Sequence, residues 1–247
     1  MRMIVRRALV AMAALSLTGA AISAHAAEWG YEGETGPANW HKLDPAFRMC
    51  GEGRNQSPVN ITGVVEAELP PLKIKEGGQV TGLVHNGHTV KATVSEGAGL
   101  EMDGHHFALK QFHFHAPSEN AVDGKLYPME IHFVHADKDG NLAVVGVFVK
   151  KGAENDTLAR LWKALPRKKG DTTKPEGVSA TALLPKNRAY WRFNGSLTTP
   201  PCSEGVRWFV LKTPVEASEA QIQAFEKVMG HANNRPVQPL NARLILQ

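Results

Sequence analysis

The sequence predicts a mainly β fold built of mostly antiparallel strands, with a few helices at its periphery. Three observations predict it. Residues 88–94, "HTVKATV", alternate polar and apolar in the period of a strand. Residues 142–149, "LAVVGVFV", and 208–211, "WFVL", are short continuous apolar runs of the kind that fill the middle of a sheet. Only two segments carry helical periodicity, too few to cover both faces of a parallel sheet.

The first segment stands outside the fold. "MRMIVRRALVAMAALSLTGAAISAHAA" has a basic start at Arg2, Arg6 and Arg7, an apolar middle and a small-residue end. That is the pattern of a secretory signal peptide, with Ala24-His25-Ala26 as the cleavage site. The leader is therefore assigned to residues 1–26 and a single domain to 27–247, in the periplasm or outside the cell. The 28 Lys and Arg, less the three of the leader, come to 25 against 24 Asp and Glu. Such a balance does not point to nucleic acid as a partner, and no later segment is apolar enough to span a bilayer. Cys50 and Cys202 are the two cysteines. In an oxidising compartment an even pair invites a disulfide, two buried free thiols being the alternative.

Residues 111–120, "QFHFHAPSEN", read as a strand, because aromatics favour strands and the alternation has period two. Residues i and i+2 share a face. Gln111, His113 and His115 therefore project together, and Phe112 and Phe114 go to the other side. Residues 129–137, "MEIHFVHAD", alternate again: Glu130, His132 and Val134 share one face, Ile131, Phe133 and His135 the other. Paired beside the first strand, this one could bring His132 to His113 and His115. Three protein ligands with a fourth position left open is the usual make-up of a catalytic zinc site. A ligating imidazole usually donates its second N–H outward, and Gln111 and Glu130 each stand two residues before a proposed ligand, on its face. His135 is then a core or hydrogen-bonded histidine. Of the remaining histidines, His25 leaves with the leader. His105 and His106 follow a turn at Asp103-Gly104, and His41, His85 and His231 lie in polar, loop-like contexts, so all five read as solvated or simply hydrogen-bonded.

The helices follow. One is predicted over about 156–165, with Leu158, Leu161, Trp162 and Leu165 on one face, and another over about 219–229, where Ser218 and Gln221 make a capping-box pattern. Between them, "PRKKGDTTKPE" at 166–176 reads as an exposed loop. Other metal and hydrolase patterns fit less well. "HFHAPSE" satisfies the first half of a cupin motif, but Leu126 stands where its glycine should fall. Neither a zinc-protease H-E-x-x-H nor a G-x-S-x-G serine elbow occurs.

Taken in chain order, "EWGYEGETGPANW" (28–40), "NQSPVNI" (55–61), "HNGHTV" (85–90), "QFHFHAPSEN", "MEIHFVH" (129–135), "LAVVGVF" (142–148), "NGSLTTPPCSEGVRW" (194–208) and "NRPVQPLNAR" (234–243) resemble the α-class carbonic anhydrases of bacteria across nearly the whole exported chain. The resemblance implies a twisted, mostly antiparallel central sheet, short outer helices and a cleft reaching a zinc ion. It implies a zinc lyase that reversibly hydrates CO₂ to bicarbonate and a proton, a small-molecule enzyme working as a monomer or homodimer. The implied ligands are His113, His115 and His132, with Gln111 and Glu130 behind them and the main-chain carbonyl of Asn241 behind His115. Thr198 would accept a hydrogen bond from the nucleophile and donate to Glu119. Val134, Val144, Leu197, Val206 and Trp208 would form the apolar wall for CO₂. Thr199 would contact bicarbonate, Tyr31 the cleft water, and His88 would carry the proton out. The same resemblance pairs Cys50 with Cys202 and makes Ser57-Pro58 and Pro200-Pro201 cis. Lys91, on the cleft wall, and Ala116-Pro117 depart from the animal members, and Ser118 has no role that the pattern assigns.

Overall fold

A ten-stranded sheet runs through the computed structural model, which describes residues 27–247; the predicted leader lies outside the described residues. Seven strands form its spine: β1 (Val80–His85), β2 (Val90–Val94), β3 (His105–His115), β4 (Met129–Ala136), β5 (Leu142–Lys151), β6 (Tyr190–Ser196) and β7 (Glu204–Ala217). Their spatial order is β1-β2-β3-β4-β5-β7-β6, with Thr172–Thr173 added beyond β1. Neighbours on this spine pair antiparallel except β5 and β7, which are parallel. The mainly β, mostly antiparallel reading is thus borne out. The run "LAVVGVFV" is the central strand β5, buried from Ala143 to Val149.

The alternation in β3 and β4 divides the sheet chemically. Phe112, Phe114, Ile131 and Phe133 are all within 1% of full burial and belong to the larger apolar core. Each such side chain contributes about 1.5–3 kcal/mol by leaving water. Two helices seal this side: α1 (Asp156–Lys163) and α2 (Glu219–Met229). Trp162 of α1 and Phe225 of α2 pack edge-on and tilted against Phe114, with centroids at 5.0 and 5.8 Å. Asn155 caps α1 by accepting from the N–H groups of Thr157 and Leu158. Ser218 and Gln221 form the predicted capping box, and Gly230, at φ 73°, ends α2 in the left-handed region. With both helices on the phenylalanine side, the opposite face of β3–β5 and β7 is free for polar groups.

The 166–176 segment is largely exposed, as expected, yet Thr172–Thr173 pairs with Leu83 and Val84 at the sheet edge. Cys50 and Cys202 form a disulfide, and no cysteine is free among the described residues. Spanning 152 residues, the bridge removes denatured-chain entropy of about 5 kcal/mol in the loop-closure picture. Ser57-Pro58 and Pro200-Pro201 are cis, and so is Ala116-Pro117. No helix among the described residues is long and apolar enough to cross a membrane.

Candidate metal centre

The antiparallel register of β3 and β4 sets His113 directly opposite His132. His115, two residues on, falls on the same face, and the ring centroids of the three histidines lie 4.6–5.4 Å apart. One ligand atom from each comes within 4.8 Å of the others, the one such group of three metal-ligating side chains among the described residues.

Two of the imidazoles are hydrogen-bonded from behind through one nitrogen, and the third faces a carboxylate. His113 Nδ1 lies 2.9 Å from Gln111 Oε1, and His115 Nδ1 lies 2.7 Å from the carbonyl oxygen of Asn233. His132 Nε2 lies 3.1 Å from Glu130 Oε1. These contacts leave Nε2 of His113, Nε2 of His115 and Nδ1 of His132 to converge. His115 Nε2 is buried without a hydrogen-bond partner, an orphan that ligation would satisfy. Burial lowers all three imidazole pKa values, that of His115 to about 4 and those of His113 and His132 well below the usual range. Neighbouring imidazoles and Lys91 push His113 further down. Neutral rings with free lone pairs, oriented by outer partners, are the form that binds zinc.

The expected contact from His115 to Asn241 is corrected here. The acceptor is the carbonyl of Asn233, eight residues earlier. Asn233 is fully buried, and its side chain also clamps the segment: Oδ1 accepts from Ala116 N and Nδ2 donates to the carbonyls of His88 and Phe114. Asn241 is exposed, has φ 52°, and donates to the Arg54 carbonyl instead.

Two carboxylates sit fully buried beside the triad. Glu130 Oε2 accepts from the N–H groups of Glu119 and Asn120, while Oε1 accepts from Asn120 Nδ2. Its approach needs room on β5. A Cβ at Gly146 would stand 3.0 Å from Glu130 Oε1, so the strand is thinned there to glycine. Glu119 Oε1 accepts from Arg235 N at 2.8 Å, and Oε2 is 3.4 Å from His115 Nε2 and 3.7 Å from His132 Nδ1. Burial pushes the Glu119 carboxyl up to about 8, opposed by the Arg235 N–H and by the Thr198 hydroxyl.

The remaining candidates surround this centre. Val144, Val206 and Trp208 are at most 2% exposed and form a second apolar cluster with Val134 and Leu197 packed against it. Trp208 stands edge-on to the His132 ring at 4.9 Å and donates from its indole N–H to the Ser196 carbonyl. Thr198 is buried, and Thr199 is part-exposed, its carbonyl accepting from Cys202 N. Lys91 is the cross-strand partner of His113 on β2. Tyr31 packs among Trp29, Trp40 and His231, and burial together with the nearby Glu119 charge raises its hydroxyl well above the ordinary range.

His88 stands apart from the triad, half-buried, its ring stacked on Trp29 at 3.7 Å. Burial lowers its pKa, and the charge of Lys169 lowers it further. His85 is buried and committed at both nitrogens, accepting from Gly87 N and donating to the Val228 carbonyl. Asn120, Asn233 and Arg235, which the sequence reading did not single out, and Ser118, to which it gave no role, complete the site. Asn120 and Asn233 hold it through main-chain groups, Ser118 Oγ joins the Asn120 carbonyl to Tyr127 N, and Arg235 reaches Glu119. These four stand in "SEN" at 118–120 and "NNRP" at 233–236.

The comparisons with known proteins agree with this geometry. The model of the eukaryotic-type carbonic anhydrase family matches residues 35–247. A carbonic anhydrase from Pectobacterium atrosepticum is 48% identical over 235 residues, covering 94% of this chain and 96% of its own. One from Neisseria gonorrhoeae is 43% identical over 97% of this chain and 96% of its own. The α-carbonic anhydrase of Thermovibrio ammonificans, solved with the inhibitor sulfanilamide, superposes with a TM-score of 0.86 at 49% identity, covering 90% of this chain and all of its own. The chain therefore belongs to the α-class, or eukaryotic-type, carbonic anhydrase family.

Proposed function

We propose that this chain is an exported zinc enzyme that interconverts CO₂ and water with bicarbonate and a proton. One observation carries the reading: three neutral imidazoles, each backed by a polar group, converge between an apolar wall and a buried threonine–glutamate pair. His113 and His115 would hold zinc through Nε2 and His132 through Nδ1. Zinc in such a site supplies Lewis acidity, lowering the pKa of a water bound to it to about 7.

The chain's own groups do the rest. CO₂ carries no hydrogen-bond donor, so the surface made by Val134, Val144, Leu197, Val206 and Trp208 can hold it without leaving a polar group unpaired. Thr198 accepts a hydrogen bond from the nucleophilic oxygen and donates its own hydroxyl hydrogen bond to Glu119, which aims the oxygen lone pair at carbon. Gln111, Glu130 and the Asn233 carbonyl keep the ligand rings from turning. Thr199 contacts the bicarbonate product, and Tyr31 borders the water in the cleft. His88 receives the proton and hands it to buffer, a task suited to an imidazole, whose two nitrogens can take up and release a proton. The disulfide fits an oxidising compartment and hence removal of the 1–26 leader on export.

Stopped-flow CO₂ hydration, with and without a chelator, tests this. Turnover that a chelator abolishes and zinc restores is the expected result. Absence of hydration by the zinc-loaded chain would overturn the reading.

A further inference from the structure

We infer that Arg235, together with Gln56, is a positioning residue for the reaction, bracing Glu119 and the Thr198 loop against each other from behind the site. The inference rests on the carbonic anhydrase reading above.

Arg235 is a cation in the interior. It is 1% exposed, and no carboxylate forms a salt bridge with it among the described residues. Burying a charge is costly unless its hydrogen bonds are met. Here they are met by three oxygens of one distant segment, residues 50–57. Nη1 donates to Gln56 Oε1 at 2.9 Å and to the Ser57 carbonyl at 2.7 Å, and Nη2 donates to the Cys50 carbonyl at 2.9 Å. The guanidinium also lies 5.6 Å from the centroid of the buried Trp40 ring.

What this side chain holds still is its own peptide. The Arg235 N–H donates to Glu119 Oε1, so that one oxygen is fixed and the other is directed toward the histidines. Gln56 extends the brace to the other partner. Its Nε2 donates to the Cys202 carbonyl at 3.0 Å and to Glu204 Oε1 at 3.0 Å. The loop that carries Thr198 is closed by Cys202 N to the Thr199 carbonyl and Leu197 N to the Ser203 carbonyl. One buried cation therefore ties Glu119 on one side and the Thr198 loop on the other through a single glutamine. A hydrogen-bonded relay tolerates little change in separation, since hydrogen bonds weaken steeply as distance and angle depart from ideal. An apolar side chain could fill the same volume, but it could not tie both partners.

A double-mutant cycle separates positioning from plain stabilisation. Arg235→Lys and Gln56→Leu are each made in the wild-type and in the Thr198→Ala background, with zinc content checked by atomic absorption. In the wild-type background each should lower kcat/KM by about tenfold at full zinc occupancy; with Thr198 absent each should lower it by less than about twofold. Equal losses in both backgrounds, or undiminished kcat/KM, would overturn the inference. If Arg235→Lys does not fold, Gln56→Leu carries the same comparison. A second readout needs no catalysis. On the metal-free protein, exchange of the Arg235 amide hydrogen should be about tenfold faster in Gln56→Leu than in the wild type. Unchanged protection there would show that no brace exists. Should the wild-type enzyme not hydrate CO₂, the proposed function fails, and the exchange measurement still decides on the brace.

Discussion

His132 and His135 lie three residues apart on β4, on opposite faces of one sheet. Both are at most 4% exposed, and burial lowers the pKa of both. His132 faces His113 across the register, with Glu130 behind it and Trp208 at its edge. His135 stands between Leu109 and Ala143, with Nδ1 2.9 Å from the Phe133 carbonyl, and lines a small apolar void with Val145 and Leu184. Residue type, burial and a depressed pKa are thus shared by a candidate ligand and a packing residue. What separates them is convergence: one ring meets two others and a carboxylate, the other meets hydrocarbon and main-chain oxygen.

The largest effect should come from breaking that convergence. His132→Ala is expected to lose zinc and nearly all hydratase activity, whereas His135→Ala keeps zinc. Retention of full zinc and activity in His132→Ala would refute the ligand assignment. Next in size is the acid sensitivity of the packing histidine. Its folded pKa is about 4 against about 6.5 unfolded, so the unfolded chain binds the extra proton between these values. Its contribution is present above pH 6.5 and is lost as pH falls toward 4, a total of about 3 kcal/mol. Urea midpoints measured from pH 7 to pH 4 should fall less steeply for His135→Leu than for the wild type. Parallel slopes would mean that His135 is not held neutral by the core.

Smaller effects sharpen the comparison within the site. Thr198→Ala should retain zinc and lower kcat/KM by about 10²-fold, close to 2.7 kcal/mol of lost alignment. Wild-type kcat/KM in that variant would remove the relay from the mechanism. His88→Ala should lower kcat by roughly tenfold in dilute buffer, leave kcat/KM nearly unchanged, and recover with imidazole. A parallel fall in kcat/KM would assign His88 a different role. His85 is a poor substitute, because both of its nitrogens are already engaged.

Side-chain patterns made much of this readable in advance. The alternation of "QFHFH" and "MEIHFVH" placed Gln111, His113, His115, Glu130 and His132 on shared faces, and the register then joined them. Ser218 and Gln221 announced the start of α2. Main-chain acceptors leave no such mark. The carbonyl behind His115 belongs to Asn233 rather than Asn241 because of where the backbone runs, and an asparagine-rich tail offers several equal choices. Thr172–Thr173 joins the sheet through backbone pairing alone, inside a segment whose composition reads as loop. Arg235 was hidden for a further reason. Its partners Cys50, Gln56 and Ser57 lie 178–185 residues away along the chain, beyond the reach of any local spacing rule.

The strand β6 has only one neighbour in the sheet spine, β7, and its other side is taken in part by Leu246. Arg192 and Leu246 exchange both main-chain hydrogen bonds at 2.9 Å, and the Gln247 amide next in line donates to the Val65 carbonyl. The last residues therefore act as a stopper on an open sheet edge. An unprotected edge offers N–H and C=O groups to another molecule and invites sheet-to-sheet aggregation. Handling of the chain in the laboratory depends on that stopper. A deletion of residues 244–247 should leave the histidine triad in place and yet turn a dispersed solution into one that clouds with time, with concentration and with gentle heating.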